Sequence, residues 1–532
     1  MRKPASIAAS KPASTLLKNT KSLCPECLEM LDAKIFENSG KVYIIKKCPK
    51  HGIFEDLYFG DYGMYKRFES WAHDGKRIEN PAVDKADPVC PKDCGMCKLH
   101  ASHTALANIV VTNRCDLACW YCFFYAKAMG YVYEPSLEQI REMMRNLRAE
   151  RPVPPNALQL TGGEPTLHPQ ILEILEAARD EGFEHVQLNT NGIRIANDAA
   201  FARAVRERGV NTLYLSMDGV TAKTNPKNFW EVPKVIENCR QTGMGIVFVP
   251  TVINTVNDHE VGAVLKYALK NADVVRGVNY QPVSLVGRIT KADVRKYRIT
   301  IPDVIERISA QTNGMVAKED FYPVPTVGAI TRFVEAVTGK PQYDLSAHFA
   351  CGAATYLFIG DDGNVVPLPR FVDVEGMLEW LDERADEIKQ ARFKKLALLK
   401  MLPKLGTFID KGKQPKGLSL ASLLFKILAK RDYRALGALH HKSLFVGMMH
   451  FMDLWNYDIE RVKRCCIHYA QPDGRIVPFC AFNVIPQWYR DGIQEKFSTK
   501  IADWERATCK KLQDDLYKRD PALVKNAPQK LE

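Results

Sequence analysis

Two cysteine triplets in this 532-residue chain share the spacing C-x3-C-x2-C and lie 25 residues apart. They are Cys90, Cys94 and Cys97, followed by Cys115, Cys119 and Cys122. Three thiolates at this spacing can hold three irons of a 4Fe-4S cluster, which leaves the fourth iron without a protein ligand. An iron left open in this way is a reaction site, so the surroundings of each triplet decide what it does.

The second triplet directly follows the apolar run "NIVVT", residues 108–112, which has the composition of a buried strand. The next such run ends in "LQLTGGEP", with Gly162, Gly163 and Glu164. Glycine lets a backbone approach a small molecule closely, and a glutamate can pair with an ammonium group. The cysteine loop and this motif therefore end two successive predicted strands.

Six apolar runs alternate with helical patterns at a period of roughly thirty residues from position 108 onward. The runs are "NIVVT", "ALQLT", "HVQLN", "TLYLS", "GIVFVPTVI" and "VNYQPVSLV". This alternation predicts parallel βαβ units, and right-handed crossovers curl such units into a complete or partial barrel. Ligands then bind at the carboxyl ends of the strands, where Asn189, Ser216 and Asp218 also lie.

The motifs "CDLACWYC" and "GGEP" on successive strand ends resemble the radical S-adenosylmethionine (SAM) superfamily over roughly residues 107–287. The resemblance implies an α/β fold, a partial (β/α)6 radical SAM barrel with cysteine-rich N-terminal and C-terminal metal-binding extensions. It also implies that the second triplet ligates a cluster whose open iron binds SAM, and that reduction releases a 5′-deoxyadenosyl radical. The SAM-binding residues it implies are Gly162, Gly163 and Glu164 on the methionine side, with Asn189, Ser216 and Asp218 on the ribose side. The alternative is a structural metal knuckle beside a glycine-rich turn.

The first triplet has a different setting, because "DPVCPKDCGMCKLH" is rich in Pro, Asp, Lys and Gly and no strand leads into it. We expect Cys90, Cys94 and Cys97 to bind an auxiliary 4Fe-4S cluster, completed by a distant ligand. The alternative is a zinc knuckle, since spacing alone separates zinc from iron-sulfur poorly.

An N-terminal group consists of "CPEC", with Cys24 and Cys27, and "CPKHG", with Cys48 and His51. Two knuckles about twenty residues apart predict a zinc ribbon or a rubredoxin-like mononuclear iron site. Either His51 is the fourth ligand, or another cysteine reaches in and His51 is a bystander.

A C-terminal group is formed by Cys351, Cys465, Cys466 and Cys480. Two stretches, "HFACGAATYLFIGDDGNVVPLPRF" and "KRCCIHYAQPDGRIVPFCAFN", share a plan of cysteine, strand, D-G hairpin turn and second strand. The plan resembles the C-terminal extensions of radical SAM enzymes, and the four cysteines predict a second auxiliary 4Fe-4S cluster. The alternative is that Cys465 or Cys466 serves elsewhere, because adjacent cysteines rarely bind one metal together, and that Cys509 takes its place. Cys239 lies on the apolar face of a predicted helix and is expected to be a core residue.

Length predicts about three domains for this chain. The predicted segments are a disordered tail at 1–20, a metal-binding domain at 21–104, the barrel at 105–312 and an auxiliary-cluster domain at 313–532. No signal peptide and no apolar run long enough to span a membrane is recognisable, so we expect a cytoplasmic protein. Fifteen clustered cysteines then indicate metal sites and not disulfides.

Positive charge concentrates in residues 391–434, where twelve Lys or Arg face two Asp. Leu and Ile alternate with these lysines at helical spacing, which is typical of a basic amphipathic helix at a membrane surface. The alternative is a helical lid with a solvated basic face. No RNA-binding motif accompanies the segment, so no nucleic-acid partner is expected.

The whole chain resembles the archaeal tetraether lipid synthases, through "CPEC", "CPKHG", "CPKDCGMCKLH", "TNRCDLACWYCFF" and "CIHYAQPDGRIVPFCAFN". That resemblance implies C–C bond formation between terminal methyl carbons of two isoprenoid diether lipid tails, at the membrane periphery and with a low-potential electron donor. Two other functions remain open: radical C-methylation of a pterin (methanopterin) precursor, and a non-catalytic multi-cluster electron carrier.

Overall fold

The computed structural model describes residues 14–122, 129–286, 291–423 and 442–532. Its N-terminal part is an antiparallel sheet in the order β1-β2-β3-β4. The strands are β1 Thr15–Leu23, β2 Met30–Asn38, β3 Lys41–Cys48 and β4 Gly52–Phe59. Ser39 and Gly40 join β2 to β3 with φ of 53° and 76°, the left-handed pair that matches the twist of a two-residue hairpin.

The predicted disordered tail at 1–20 is wrong for its last six residues, which belong to β1. Antiparallel pairing with β2 orders these residues. In addition, the Thr20 hydroxyl donates to the Asp458 carboxylate over 2.6 Å. Farther along the sheet, the buried ammonium of Lys46 donates to the Leu454 carbonyl over 2.6 Å. The N-terminal sheet is thus fastened to the C-terminal part of the chain. Residues 1–13 lie outside the described part.

A second, large sheet contains all six predicted strands, side by side and parallel. They are β5 Leu106–Thr112, β7 Ala157–Gly162, β8 His185–Thr190, β9 Val210–Leu215, β10 Gly245–Phe248 and β12 Val275–Pro282. Two short strands come between these in the sequence. They are β6, Tyr131–Val132, which follows β5, and β11, Thr251–Val252, which follows β10.

Helices follow or precede these strands as the alternation predicts. They are α1 Tyr62–Glu69, α2 Leu137–Arg148, α3 Ile171–Asp180, α4 Ile193–Asn197, α5 Ala199–Glu207, α6 Val232–Thr242, α7 Val261–Lys270, α8 Val294–Tyr297 and α9 Ile301–Gln311. Apolar residues at one set of alternate strand positions pack into the core, as Leu160 and Leu213 do. The other set, including Gln159 and Tyr214, lines the interior of the barrel. Cys239 is fully buried in the core, as predicted.

The C-terminal segment extends this same sheet at both edges, although the sequence predicts it as a separate domain. Its strands are β13 Tyr322–Pro323, β14 Gly352–Ile359, β15 Val365–Pro367, β16 Ser443–Met449, β17 Ile467–Ala470, β18 Ile476–Pro478 and β19 Thr499–Lys500. β16 pairs in parallel with β12, and β17 pairs in parallel with β5. Pairing covers the open edges of the six-stranded core. The two predicted hairpins are confirmed as β14–β15 and β17–β18.

The remaining helices surround these strands. They are α10 Val327–Thr338, α11 Val374–Gln390, α12 Lys394–Leu405 and the short helices Ile459–Lys463, Phe479–Val484, Arg490–Gln494, Ile501–Thr508 and Pro521–Lys525. Within the predicted basic segment 391–434, Leu398, Met401 and Leu405 are buried in a cluster with residues of α11. The apolar face of α12 therefore packs inside the protein, which favours the lid over the membrane-bound helix. Residues 424–434 of the segment lie outside the described part. No helix among the described residues has the length and apolar character needed to cross a bilayer.

Candidate functional site

The loop after β5 carries the second cysteine triplet into a cavity of about 340 Å³ at the carboxyl ends of the parallel strands. Cys115, Cys119 and Cys122 all line this cavity. Burial, followed by the neighbouring Asp116 carboxylate, raises the pKa of the Cys115 thiol, and burial also raises that of Cys119. Thiolates in such a place need a compensating cation, which metal ligation supplies. The donor set therefore fits an iron-sulfur cluster.

Gly162 and Gly163 allow this loop to pack directly on the end of β7. A Cβ atom at Gly162 would overlap the Thr112 carbonyl oxygen, and one at Gly163 would overlap the Arg114 carbonyl oxygen. Two backbone hydrogen bonds hold the contact: Gly163 N–H donates to Thr112 over 2.9 Å, and Glu164 N–H donates to Arg114 over 2.7 Å. The glycines thus position the cysteine loop, a role that the sequence alone did not indicate.

Glu164 lines the cavity, is otherwise fully buried, and accepts hydrogen bonds from three neighbouring residues. The donors are the Thr166 hydroxyl at 2.6 Å, the Thr190 hydroxyl at 2.7 Å and the Asn191 backbone N–H at 2.8 Å. Burial raises the pKa of Glu164. Burial and then the charge of Glu164 also raise the pKa of Asp116, to about 7. Two adjacent carboxyl groups in a dry site favour a cationic ligand such as an ammonium group.

Two of the three residues predicted on the ribose side line the cavity, namely Asn189 and Ser216. Asn189 donates to the Thr161 hydroxyl over 3.2 Å, and the Ser216 hydroxyl accepts from the Lys227 ammonium. Asp218 instead lines a neighbouring cavity of about 260 Å³. There it forms an ion pair of 2.8 Å with Lys227.

Sequence analysis missed Lys227, whose side chain is 6% exposed and borders both cavities. Its ammonium also donates to the Tyr121 hydroxyl over 3.1 Å, and that hydroxyl donates to Asp218. Tyr121 is the aromatic residue before the last cysteine of the triplet, a visible signal. Lys227 lies in "TNPKNF", where no spacing or motif singles it out.

The N-terminal group forms a compact four-residue site. The ligand atoms of Cys24, Cys27, Cys48 and His51 all lie within 4.8 Å of one another. The sulfurs of Cys27 and Cys48 are 3.9 Å apart, close to the roughly 3.8 Å between two sulfurs bound tetrahedrally to zinc. His51 Nδ1 lies 3.5 Å from the Cys24 sulfur and 3.4 Å from the Cys48 sulfur. His51 thus occupies the fourth corner.

Charge at this site also favours metal binding. Burial alone would raise the pKa of the Cys48 thiol, but hydrogen bonds from the Lys50 backbone and from His51 lower it to about 7. Part of the thiol population is therefore ionised near neutral pH, which assists ligation.

The first triplet and the C-terminal cysteines come together in one region. Burial, and then Cys90, Cys97 and Cys465, raise the pKa of Cys94. Burial and then Cys465 raise the pKa of Cys480, so Cys465 lies within electrostatic reach of both groups. Cys351 and Cys466 belong to the same region, because after burial the charge of Cys466 and then that of Cys351 raise the pKa of Cys465. Seven thiols from three separate parts of the sequence are thus gathered in one region, which suits one or two metal clusters.

Two residues that the sequence analysis missed hold this region. The Tyr489 hydroxyl accepts from Cys94 N–H over 3.0 Å and donates to carbonyls of the loop, including that of Lys92 at 2.9 Å. Arg461, fully buried, donates from Nε to the Cys351 sulfur over 3.2 Å. Neither residue belongs to a recognisable spacing pattern.

Two family models match parts of the chain: the HMPTM N-terminal zinc ribbon domain over residues 16–60, and the radical SAM superfamily over residues 109–268. The 7,8-dihydro-6-hydroxymethylpterin dimethyltransferase of Methanocaldococcus jannaschii is 46% identical over 499 residues, 92% of this chain and 97% of that protein. The GTP 3′,8-cyclase of Clostridium acetobutylicum is 28% identical over 39% of this chain and 64% of its own length.

These similarities confirm the radical SAM superfamily, the α/β fold with a cysteine-rich N-terminus, and a 4Fe-4S cluster and SAM as cofactors. The zinc ribbon and the cysteine-rich regions are consistent with further metal sites. The predicted tetraether lipid synthase family, the coupling of isoprenoid tails and the diether lipid partner are wrong. The relative that matches nearly the full length is named for methylation of a pterin.

Proposed function

This chain belongs to the family of the M. jannaschii 7,8-dihydro-6-hydroxymethylpterin dimethyltransferase within the radical SAM superfamily, and we propose that it methylates a pterin by radical chemistry. The substrate class is a dihydropterin with a hydroxymethyl group at carbon 6. The observation that carries the proposal is the 46% identity over 97% of that relative, because a match of this extent includes the barrel and both cysteine-rich ends.

The cavity supports the proposal through the residues that line it. They include the thiols of Cys115, Cys119 and Cys122 and, close to Cys115, Glu164. When bound there, a reduced cluster with SAM supplies a carbon radical that can remove hydrogen from an unactivated C–H bond. We assign the three cysteines to the cluster, and Glu164 to the ammonium group of SAM.

Backbone and side-chain groups beside the thiols complete the proposed SAM site. Gly162 and Gly163 hold the cysteine loop against β7, while Asn189 and Ser216 offer hydrogen bonds for the ribose. Asp218 does not line this cavity; its part is to hold Lys227, which neutralises charge next to Cys119.

Additional metals are proposed for the two other cysteine regions. Zinc suits Cys24, Cys27, Cys48 and His51, because four N/S ligands at tetrahedral spacing form a closed structural site. Auxiliary 4Fe-4S clusters suit the seven thiols contributed by Cys90–Cys97 and by the C-terminal group.

The test is a reaction of the full chain, reconstituted anaerobically with iron and sulfide, with 7,8-dihydro-6-hydroxymethylpterin, a chemical reductant and SAM in excess. One SAM molecule per methylation is the radical source and leaves as methionine and 5′-deoxyadenosine; a second is the methyl donor and leaves as S-adenosylhomocysteine. We expect mass spectrometry to show pterins heavier by one and two methyl groups, together with 5′-deoxyadenosine. Cys119→Ser abolishes both products, because the cluster loses a ligand. Cys509→Ser is the matched control, since Cys509 is exposed and its replacement leaves both products. Reductive cleavage of SAM by the wild type, with no change in the mass of the pterin, would contradict the proposal.

A further inference from the structure

The main cavity is also lined by four side-chain amides, which come from strands at both ends of the six-stranded parallel series. They are Asn108 on β5, Gln159 on β7, and Asn279 and Gln281 on β12. Each occupies the inward-facing set of alternate positions, so the strand pleat aims all four toward the same space. Polar residues at interior positions of a barrel are costly unless something satisfies them.

The first two amides satisfy each other in part. Gln159 donates from Nε2 to Asn108 Oδ1 over 2.9 Å, and Asn108 donates to the His468 carbonyl over 3.4 Å. This pair forms a fixed polar floor, because Asn108 is fully buried. The side-chain carbonyl oxygen of Gln159 has no hydrogen bond within the described part of the chain.

Asn279 and Gln281 are half-buried residues of β12, and they alternate with the buried Val278 and Tyr280. Neither side-chain amide makes a hydrogen bond to any of the described residues. Asn279 stands opposite Gly447 of β16. A Cβ atom at Gly447 would overlap the Phe445 ring and would lie 3.1 Å from Asn279 Oδ1. Glycine at this position therefore leaves room for the aromatic ring and for the amide beside it.

Charged side chains in the cavity lie beside the cysteines. Apart from the thiols, the charged residues among its described lining residues are Glu164 and Lys227, both beside the cysteines. Around the amides stand aromatic rings, including Tyr214 and Phe445. A neutral, flat molecule with alternating donors and acceptors along one edge fits such a place.

We propose that the Asn279 and Gln281 amides bind the 2-amino-4-oxo edge of the pterin and so determine substrate specificity. The inference rests on the proposed function and identifies which residues read the substrate. A primary amide presents one acceptor and one donor side by side, which pairs with a lactam or amidine edge through two hydrogen bonds, as Asn and Gln do with adenine. The aromatic rings stack on the faces of the ring system.

The experiment measures binding of 7,8-dihydro-6-hydroxymethylpterin to the anaerobic, reconstituted full chain by calorimetry. Asn279→Leu and Gln281→Met keep the side-chain volume and remove the amide, and each should weaken binding by about 10- to 100-fold. The EPR change of the cluster on adding SAM should be unaltered. Gln241→Met on the exposed face of α6 is the matched control and should bind the pterin as the wild type does.

A second ligand separates recognition from a general loss of structure. The same ring system without its 2-amino group should bind the wild type more weakly than the pterin does, and the two variants should discriminate less between the two ligands. Should Asn279→Leu fail to take up its cluster, Asn279→Ser, which is smaller and polar, takes its place. Wild-type affinity in the variants would overturn the inference and leave the function standing. A wild type that neither binds nor methylates the pterin would instead refute the function.

Discussion

Glu150 offers a test of the electrostatics that does not depend on the reaction. It follows α2, is 4% exposed, and accepts from the Thr104 hydroxyl over 2.7 Å. No Lys, Arg or His of the described residues forms an ion pair with it. Burial raises its pKa to about 7, against about 4.3 for an exposed glutamate. At about 1.4 kcal/mol per pKa unit, the difference corresponds to about 4 kcal/mol.

Proton binding by Glu150 determines whether the stability rises or falls with pH. Between pH 4.3 and 7 the folded protein keeps a proton that the unfolded chain has released, so the contribution of Glu150 to stability falls as the pH rises. It is fully present below about pH 4.3 and is lost above about pH 7. Glu150→Gln stays neutral at every pH. The variant should therefore gain stability over the wild type as the pH rises, by up to about 4 kcal/mol at pH 8.

The assay follows thermal unfolding of the wild type and the variant from pH 5 to 8 by circular dichroism under anaerobic conditions. The difference in Tm should grow steadily with pH and reach several degrees. Glu142→Gln, on the exposed face of the same helix, should show no such trend. A difference between Glu150→Gln and the wild type that is the same at pH 5 and pH 8 would refute the reasoning.

Two further predictions concern the metal regions. Tyr489→Phe leaves the Cys94 N–H and a loop carbonyl without their partner, at a cost of about 1–3 kcal/mol. Elemental analysis of the purified variant should therefore find less iron than in the wild type. An unchanged iron content would show that the hydroxyl does not support the loop. His51→Ala removes the fourth corner of the N-terminal site and should lower the zinc content, whereas His51→Cys supplies a thiolate and should retain the metal. Equal zinc content in both His51 variants would make His51 a bystander.

Local patterns in the sequence predicted most of the barrel correctly. The six parallel strands and the two D-G hairpins each depend on contiguous runs of residues, whose alternation or turn chemistry is visible without the fold. The same holds for the motif that ends in Glu164. Each of these features is specified within about ten residues of sequence.

Features that depend on contacts between distant residues were missed. Lys227 gains its place only because β9 and the cysteine loop meet, and Asn279 becomes a cavity residue only once the barrel has closed. The incorrect prediction of a lipid substrate has the same cause. The composition of residues 391–434 is that of an interfacial helix, but Leu398, Met401 and Leu405 find their apolar partners on α11. Amino-acid composition shows that one face of a helix is apolar, but it does not show which residues pack against that face.

The pairing of β17 with β5 explains why the fourth ligand of the first triplet could not be read from the sequence. The backbone N–H groups of Ala105 and Leu106 both donate to the Cys466 carbonyl, over 2.9 Å and 3.1 Å. This register brings the Cys465–Cys466 pair to the segment that immediately follows the first triplet, so a separation of about 370 residues in sequence becomes a short distance in space. Sheet register, and not cysteine spacing, therefore determines which thiols can share a metal. The same pairing that covers the edge of β5 also builds the candidate auxiliary site.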